Sequence, residues 1–238
     1  MRMRYATLDD CHRADGLVVV VDVIRAFTTA AHVLERGARE IWPVARVEEA
    51  FALRDGHPDV LLIGEQGGRR IDGFDAGNSP SQLDGVDFSG RVVVQRTSAG
   101  TQGIACSVGA ERMLAASFVC ASATVRAIRA LGADRVTFVI TGTTGGRDGD
   151  EDRACADLLA ASLRSGRPSP HEPFLERVAR SDAARLFRDP GDPDFPPADL
   201  DAVTDVDRFD FALRVERVSG RAVLRAFRVD GRGGAPSR

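Results

Sequence analysis

Leu17-Val-Val-Val-Val21 runs directly into Asp22-Val-Ile-Arg25, and Ala26 to Arg36 follows. An apolar, mostly β-branched run of this length suits a strand buried on both faces of a sheet and is too short for a buried helix. Beyond it, Ala30, Ala31, Val33 and Leu34 recur at helical spacing until Gly37 stops the run. A strand covered on both faces needs helices above and below, so this one unit predicts an α/β fold. Outward from it the alternation repeats. Strands are expected over 40–44, 60–63, 91–95, 112–120 and 135–140, and helices over 26–36, 47–54, 103–110, 123–131 and 151–164. The expected architecture is a three-layer α/β/α arrangement around a largely parallel or mixed sheet.

After residue 165 the texture changes. Ser165-Gly-Arg-Pro-Ser-Pro170 and Asp189-Pro-Gly-Asp-Pro-Asp-Phe-Pro-Pro197 are rich in breakers and flank a short helical stretch near 179–187. Residues 212–218 and 221–229 alternate around Ser219-Gly220, the signature of a β-hairpin. The expectation is a single domain over 1–230, with a core of about 15–165, a C-terminal hairpin appendage within 166–230, and a disordered tail over 231–238.

The 32 basic and 35 acidic residues of the 238-residue chain give a net charge of −3, which removes the electrostatic basis for a nucleic-acid partner or an anionic membrane surface. Every Lys/Arg residue is Arg, so neither a lysine nucleophile nor a P-loop lysine is available. Met1 to Asp10 is polar and does not read as a signal peptide. No apolar run is long enough to span a bilayer. Cys11, Cys106, Cys120 and Cys155 are scattered without a CxxC pair, so four free thiols in a reducing cytoplasm are expected. Cytoplasmic location is expected with them. Oligomeric state is not legible, and a homo-oligomer is left open.

Chemistry concentrates where the expected strands end, which in parallel α/β sheets is where ligands bind. Asp22 and Arg25 follow the first apolar strand, Gly64-Glu65 a later one, and Thr97-Ser-Ala-Gly-Thr101 the next. Thr141-Gly-Thr-Thr-Gly-Gly146 follows the last strand of the series and leads to Glu151 and Asp152. Small hydroxyl-rich turns at strand-to-helix junctions direct N–H groups and hydroxyls at an anion. Arg25 offers a planar fork for phosphate or carboxylate. Asp22, Glu65, Glu151 and Asp152 are hard oxygen donors of the kind Mg²⁺ uses beside substrate phosphate. Each feature also has a plainer reading, as a helix cap, a dipole partner or an ordinary turn. Their recurrence at successive strand ends favours a metal-assisted phosphoryl site. Asp72-Gly-Phe-Asp-Ala-Gly-Asn-Ser-Pro80 adds a long polar connection anchored by Phe74, with Asn78 and Ser79 as further donors.

Taken in order, Asp22-Val-Ile-Arg-Ala26, Gly64-Glu65, Gly73-Phe-Asp-Ala-Gly-Asn-Ser-Pro80, Thr97-Ser-Ala-Gly-Thr101 and Glu151-Asp152 resemble the 2-phosphosulfolactate phosphatase family. The resemblance runs from about Leu17 to Leu163 and implies Mg²⁺-dependent hydrolysis of the phosphate ester of a small sulfonated hydroxy acid. In that family sulfolactate serves coenzyme M synthesis or sulfonate metabolism. The resemblance implies catalytic roles for Asp22, Arg25 and Glu65, with metal ligation by Asp22, Glu65, Glu151 and Asp152. Substrate or phosphate binding falls to Asn78, Ser79, Thr97, Ser98, Gly100, Thr101 and Gly142. The nucleophile is a water on the metal or Asp22 itself. The chain departs from the family pattern at Ala99 and Cys120, where Asn is usual. These departures leave two alternatives, a non-catalytic phosphate or sulfonate binder and a phosphatase of another phosphorylated hydroxy acid.

Overall fold

The computed structural model describes residues 1–143 and 146–229. The tail expected over 231–238 lies outside them, as do Thr144 and Gly145 of the turn after the last parallel strand. Among these residues ten strands form one sheet: β1 (Arg2–Thr7), β2 (Gly16–Val21), β3 (Glu40–Val44), β4 (Leu61–Gln66), β5 (Arg69–Arg70), β6 (Val92–Arg96), β7 (Ala110–Ala116), β8 (Arg135–Ile140), β9 (Ala212–Val218) and β10 (Arg221–Phe227). The helices are α1 (Ala26–Glu35), α2 (Val47–Gly56), α3 (Gly100–Cys106), α4 (Ala121–Ala130), α5 (Asp150–Ser165), α6 (Glu172–Arg180), α7 (Asp182–Arg185) and α8 (Ala198–Thr204). The fold is the mixed α/β arrangement expected. No helix of the described residues is long and apolar enough to cross a membrane.

Spatial order is β1-β8-β2-β7-β9-β10-β3-β6-β4-β5. β1, β8, β2 and β7 run parallel to one another, as do β3, β6 and β4. Between these groups lies the antiparallel β9–β10 hairpin, pairing β7 on one side and β3 on the other. The hairpin forms as expected, but it is an appendage in chain order only. In the sheet it is the bridge between two parallel halves. Through three antiparallel pairings those halves run in opposite senses. At roughly 20–25° of twist per strand, the six steps from β2 to β4 rotate the sheet by about 120–150°. That coil brings the C-terminal ends of β4 and β6 round to those of β2 and β8.

The alternation of β2 sorts the core. Val18 and Val20 join a cluster with Ala26, Phe27, Ala30 and Ala31 of α1, whereas Leu17, Val19 and Val21 join one with α4 and α5. The first cluster also takes Ile41, Ile63 and Val93 from the other half-sheet and Leu213 and Leu224 from the hairpin. α1 therefore lies in the hollow of the coiled sheet, which is why nearly all of its residues are buried. α2 covers the opposite face of the second half, against Trp42, Leu62 and Val94.

Four expectations are corrected. β1 exists, paired with β8, because Arg2-Met-Arg-Tyr-Ala-Thr7 alternates at the sheet edge with Met3 and Tyr5 turned inward. The helix expected over 103–110 begins at Gly100 and ends at Cys106. The strand expected over 112–120 ends at Ala116, and Phe118–Cys120 is a 3-10 turn. Cys11 and Cys106 are disulfide-bonded with Cα atoms 5.8 Å apart, because the turn at Cys11–Arg13 packs on α3. A bridge across 95 residues of chain leaves no local spacing signal. Cys120 and Cys155 are free thiols, as expected, and both are buried.

Candidate active site

The ends of β2, β4 and β6 meet at a cleft of about 420 Å³ whose walls include Asp22, Arg25, Glu65, Asn78 and Ser98. Asp22 directly follows β2 and is buried. Its Oδ1 accepts the Ala26 N–H at 2.9 Å, and Thr141 Oγ1, after β8, stands 3.3 Å from its Oδ2. The first turn of α5 brings two more acids behind it. Asp152 Oδ1 accepts the Val23 N–H at 2.7 Å, and its Oδ2 accepts the Gly142 N–H at 2.8 Å and the Thr141 N–H at 3.2 Å. One carboxylate thus clamps the ends of β2 and β8 together.

Glu151 is 2% exposed, and its Oε2 has no hydrogen-bond partner among the described residues. Two glycines let these acids crowd. A Cβ on Gly142 would stand 2.6 Å from Glu151 Oε1, and one on Gly100 would stand 2.8 Å from Asp22 Oδ2. Loop and strand ends therefore approach each other only because neither position carries a side chain.

The electrostatics follow from burial. Desolvation raises the Asp22 carboxyl to about 6, with the Ala26 N–H opposing and Glu65 adding to the rise. Desolvation likewise raises Glu151 to about 7, reinforced by Asp22. Asp152 is raised by burial first and then by Glu151 and Asp22. These are acids whose charges oppose one another in a poorly hydrated site, with Arg147 partly offsetting the rise at Asp22 and Glu151.

Glu65 closes the other side of the cleft. Its Oε1 accepts the Ser98 N–H, and its Oε2 accepts the Ser98 hydroxyl at 3.0 Å and the Gly68 N–H. Glu65 thereby locks the turn between β4 and β5 to the loop that opens α3. Asn78 holds position through its Oδ1, which accepts from Gln95 Nε2 at 3.3 Å, and its carbonyl, which accepts from Thr29 at 3.1 Å.

Arg25 is on the cleft wall, but its guanidinium is not unattached. Nη1 donates to Asp199 Oδ2 at 2.6 Å and to the Asp194 carbonyl at 2.8 Å, and Nη2 donates to the Gly68 carbonyl at 3.1 Å. The rings of Phe187 and Phe195 lie 4.9 and 5.5 Å from it. A guanidinium has five N–H donors, so these three contacts leave donors for a ligand.

Of the residues expected to bind substrate, Asn78 and Ser98 line the cleft, whereas Ser79, Thr97, Gly100, Thr101 and Gly142 do not, and the acids Glu151 and Asp152 lie behind its wall. Thr97 and Thr101 form a reciprocal cap: each backbone N–H donates to the other's hydroxyl, at 2.9 and 3.0 Å. Both side chains are buried and neither is among those lining the cleft. Ser79 donates to Asp199 at 2.8 Å and supports the wall from behind. In the turn after β8, Thr141 and Gly142 reach the acids.

The structure adds groups that the sequence reading missed: Arg147, Phe187 and Phe195 on the cleft wall, and buried Asp199 behind it. Phe195 was open to the reasoning applied to Phe74, as the one aromatic in a proline-rich connection. Asp199 carried no such mark, because an acid following two prolines reads as a helix start.

Sequence comparison gives the relationship. The 2-phosphosulpholactate phosphatase family matches residues 4–190. The chain belongs to that family. With it comes membership of the phosphoric monoester hydrolases. Three relatives are each named a probable 2-phosphosulfolactate phosphatase. The one from Bacillus subtilis is 32% identical over 84% of this chain and 86% of its own. The one from Thermus thermophilus is 38% identical over 78% and 74%, and the one from Deinococcus radiodurans is 41% identical over 68% of each chain. The region matching the family holds every acid of the cluster from Asp22 to Asp152, and stops short of Asp194, Phe195 and Asp199.

Proposed function

We propose that the cleft hydrolyses the phosphate ester of a small anionic hydroxy acid, 2-phosphosulfolactate first among them, with Mg²⁺ held at the acid cluster. The observation that carries this is Glu151: a buried carboxylate with an oxygen that has no hydrogen-bond partner among the described residues, beside Asp22, whose own charge is disfavoured by burial and by Glu65. Buried acids arranged in this way fit a hard cation. Among the described residues no three His, Cys, Asp or Glu side chains form a ready-made metal cage. Mg²⁺ takes one or two protein carboxylates and completes its shell with water and substrate phosphate.

Asp22 and Glu151 are the direct ligands in this reading, since Asp152 and Glu65 have both oxygens engaged by N–H donors of the surrounding turns. Mg²⁺ at that position supplies charge neutralisation for the transferring phosphoryl group and the leaving alkoxide. Arg25, with its remaining N–H donors, binds non-bridging oxygens or the acid group of the substrate. Ser98 and Asn78 orient the ester in the cleft. Phe187, Phe195 and Leu186 exclude water from the Arg25 side.

The test is release of inorganic phosphate from 2-phosphosulfolactate, phosphoglycerate and phospholactate, each with Mg²⁺ and with chelator. The expected result is Mg²⁺-dependent release, fastest from the sulfonated ester. Preference for an unsulfonated ester would reassign the substrate. No release from any ester, combined with a phosphate-induced rise in melting temperature, would identify a binding protein instead.

A further inference from the structure

Asp199 sits in α8, beyond the region that matches the family, and its side chain is sealed from solvent. Four contacts from other parts of the chain converge on it. Oδ1 accepts the Ser79 hydroxyl at 2.8 Å, the Ser81 hydroxyl at 2.6 Å and the Ser81 N–H at 3.1 Å, while Oδ2 faces Arg25 Nη1 at 2.6 Å. Oδ1 is thus filled by the loop over 79–81, and Oδ2 is directed at the guanidinium. A carboxylate so enclosed reaches no ligand, so any influence it has on chemistry passes through Arg25.

The same segment supplies most of the other restraints on Arg25. The Asp194 carbonyl takes a second bond from Nη1, and Phe187 and Phe195 flank the guanidinium. Among the described residues, the Gly68 carbonyl is the contact that comes from elsewhere. Without this frame a long side chain at the head of α1 has many rotamers, and its fork points at the cleft only part of the time.

We infer that Asp199 is a positioning residue for the phosphatase reaction: it fixes the Arg25 fork in the orientation that binds the substrate anion. The inference rests on the functional reading of the cleft given above. It assigns the segment over 187–199 a part in substrate binding rather than in folding alone.

A double-mutant cycle tests this, using Asp199→Asn, Arg25→Gln and the pair together, with kcat/KM for the preferred ester and inorganic phosphate affinity by calorimetry as readouts. Asp199→Asn is expected to lower kcat/KM about tenfold, the size of one lost hydrogen bond to a charged group. In the Arg25→Gln background the same change is expected to lower it no further. Ser81→Ala, which removes one of the contacts that hold Asp199 Oδ1, is expected to lower kcat/KM in the same direction by a smaller factor, and to lower it no further in the Arg25→Gln background. Should Arg25→Gln fail to fold, Arg25→Lys, which keeps the charge and loses the fork, replaces it as background. Equal losses from Asp199→Asn in both backgrounds would overturn the inference and leave the phosphatase reading intact. If the wild-type chain turns over no ester, the phosphatase reading fails. The cycle is then read in phosphate affinity, where the same coupling supports the inference and its absence overturns it.

Discussion

At the scale of single residues, the site trades stability for chemistry. Glu151 lies buried with an oxygen that has no hydrogen-bond partner among the described residues, and its charge opposes those of Asp22 and Asp152. Replacing it with Gln removes that repulsion while keeping the shape. Glu151→Gln is therefore expected to raise the melting temperature of the metal-free protein and to cut turnover by at least tenfold. Scanning calorimetry with a phosphate-release assay checks both halves, and a drop in both properties would contradict the reading. Away from the site, His32 shows the opposite behaviour. Burial, then Arg208 and Arg36, lower its imidazole to about 4, with Asp205 and Asp199 opposing and the Phe209 ring edge-on at 5.0 Å. A folded-state value below the unfolded one means that its contribution to stability is fully present above about pH 6.5 and is lost as pH falls toward 4. His32→Gln is expected to flatten the acid side of the stability curve in that window, as measured by urea denaturation across pH.

At the scale of elements, the hairpin deserves more weight than its place in the chain suggests. Leu224 is fully buried in the cluster that also holds α1 and both half-sheets. Leu224→Ala is expected to cost about 2–5 kcal/mol by removing core volume at the joint between the halves, measurable as a shift in the denaturant midpoint. The parallel strands and their helices were legible because β-branched runs such as 17–21 and helical spacing such as 30–34 are local signals. Asp22, Glu65 and Glu151 were legible for a related reason: acids at strand ends and helix starts stand out against packing needs. The location of β9 and β10 was not legible, since alternation reports a strand and says nothing of which strands it will separate. Nor was the inward turn of Thr97 and Thr101, because a hydroxyl that caps a helix and one that binds phosphate look alike in sequence. The edge strand β1 was hidden by Arg2 and Arg4, which an edge position tolerates.

At the scale of the whole molecule, the site exists because the sheet coils. Two parallel halves of opposite sense would otherwise present their carboxyl ends at opposite edges, with Asp22 at one and Glu65 at the other. The Cys11–Cys106 bond belongs to the same design, tying the turn after β1 to the end of α3, whose opening residues press on Asp22. For a loop of this length the link is worth about 5 kcal/mol, so Cys11→Ser or reduction is expected to lower unfolding free energy by that order. An unchanged denaturation curve under reductant would contradict it. The proposal that these distant acids form one site that binds a cation and cleaves phosphate is tested most directly by phosphate release from 2-phosphosulfolactate, measured for wild type and Asp22→Asn while Mg²⁺ is titrated. The expected result is release by wild type that rises with Mg²⁺, and at least a hundredfold less from Asp22→Asn at every concentration. Equal release from both proteins, or release indifferent to Mg²⁺, would contradict it.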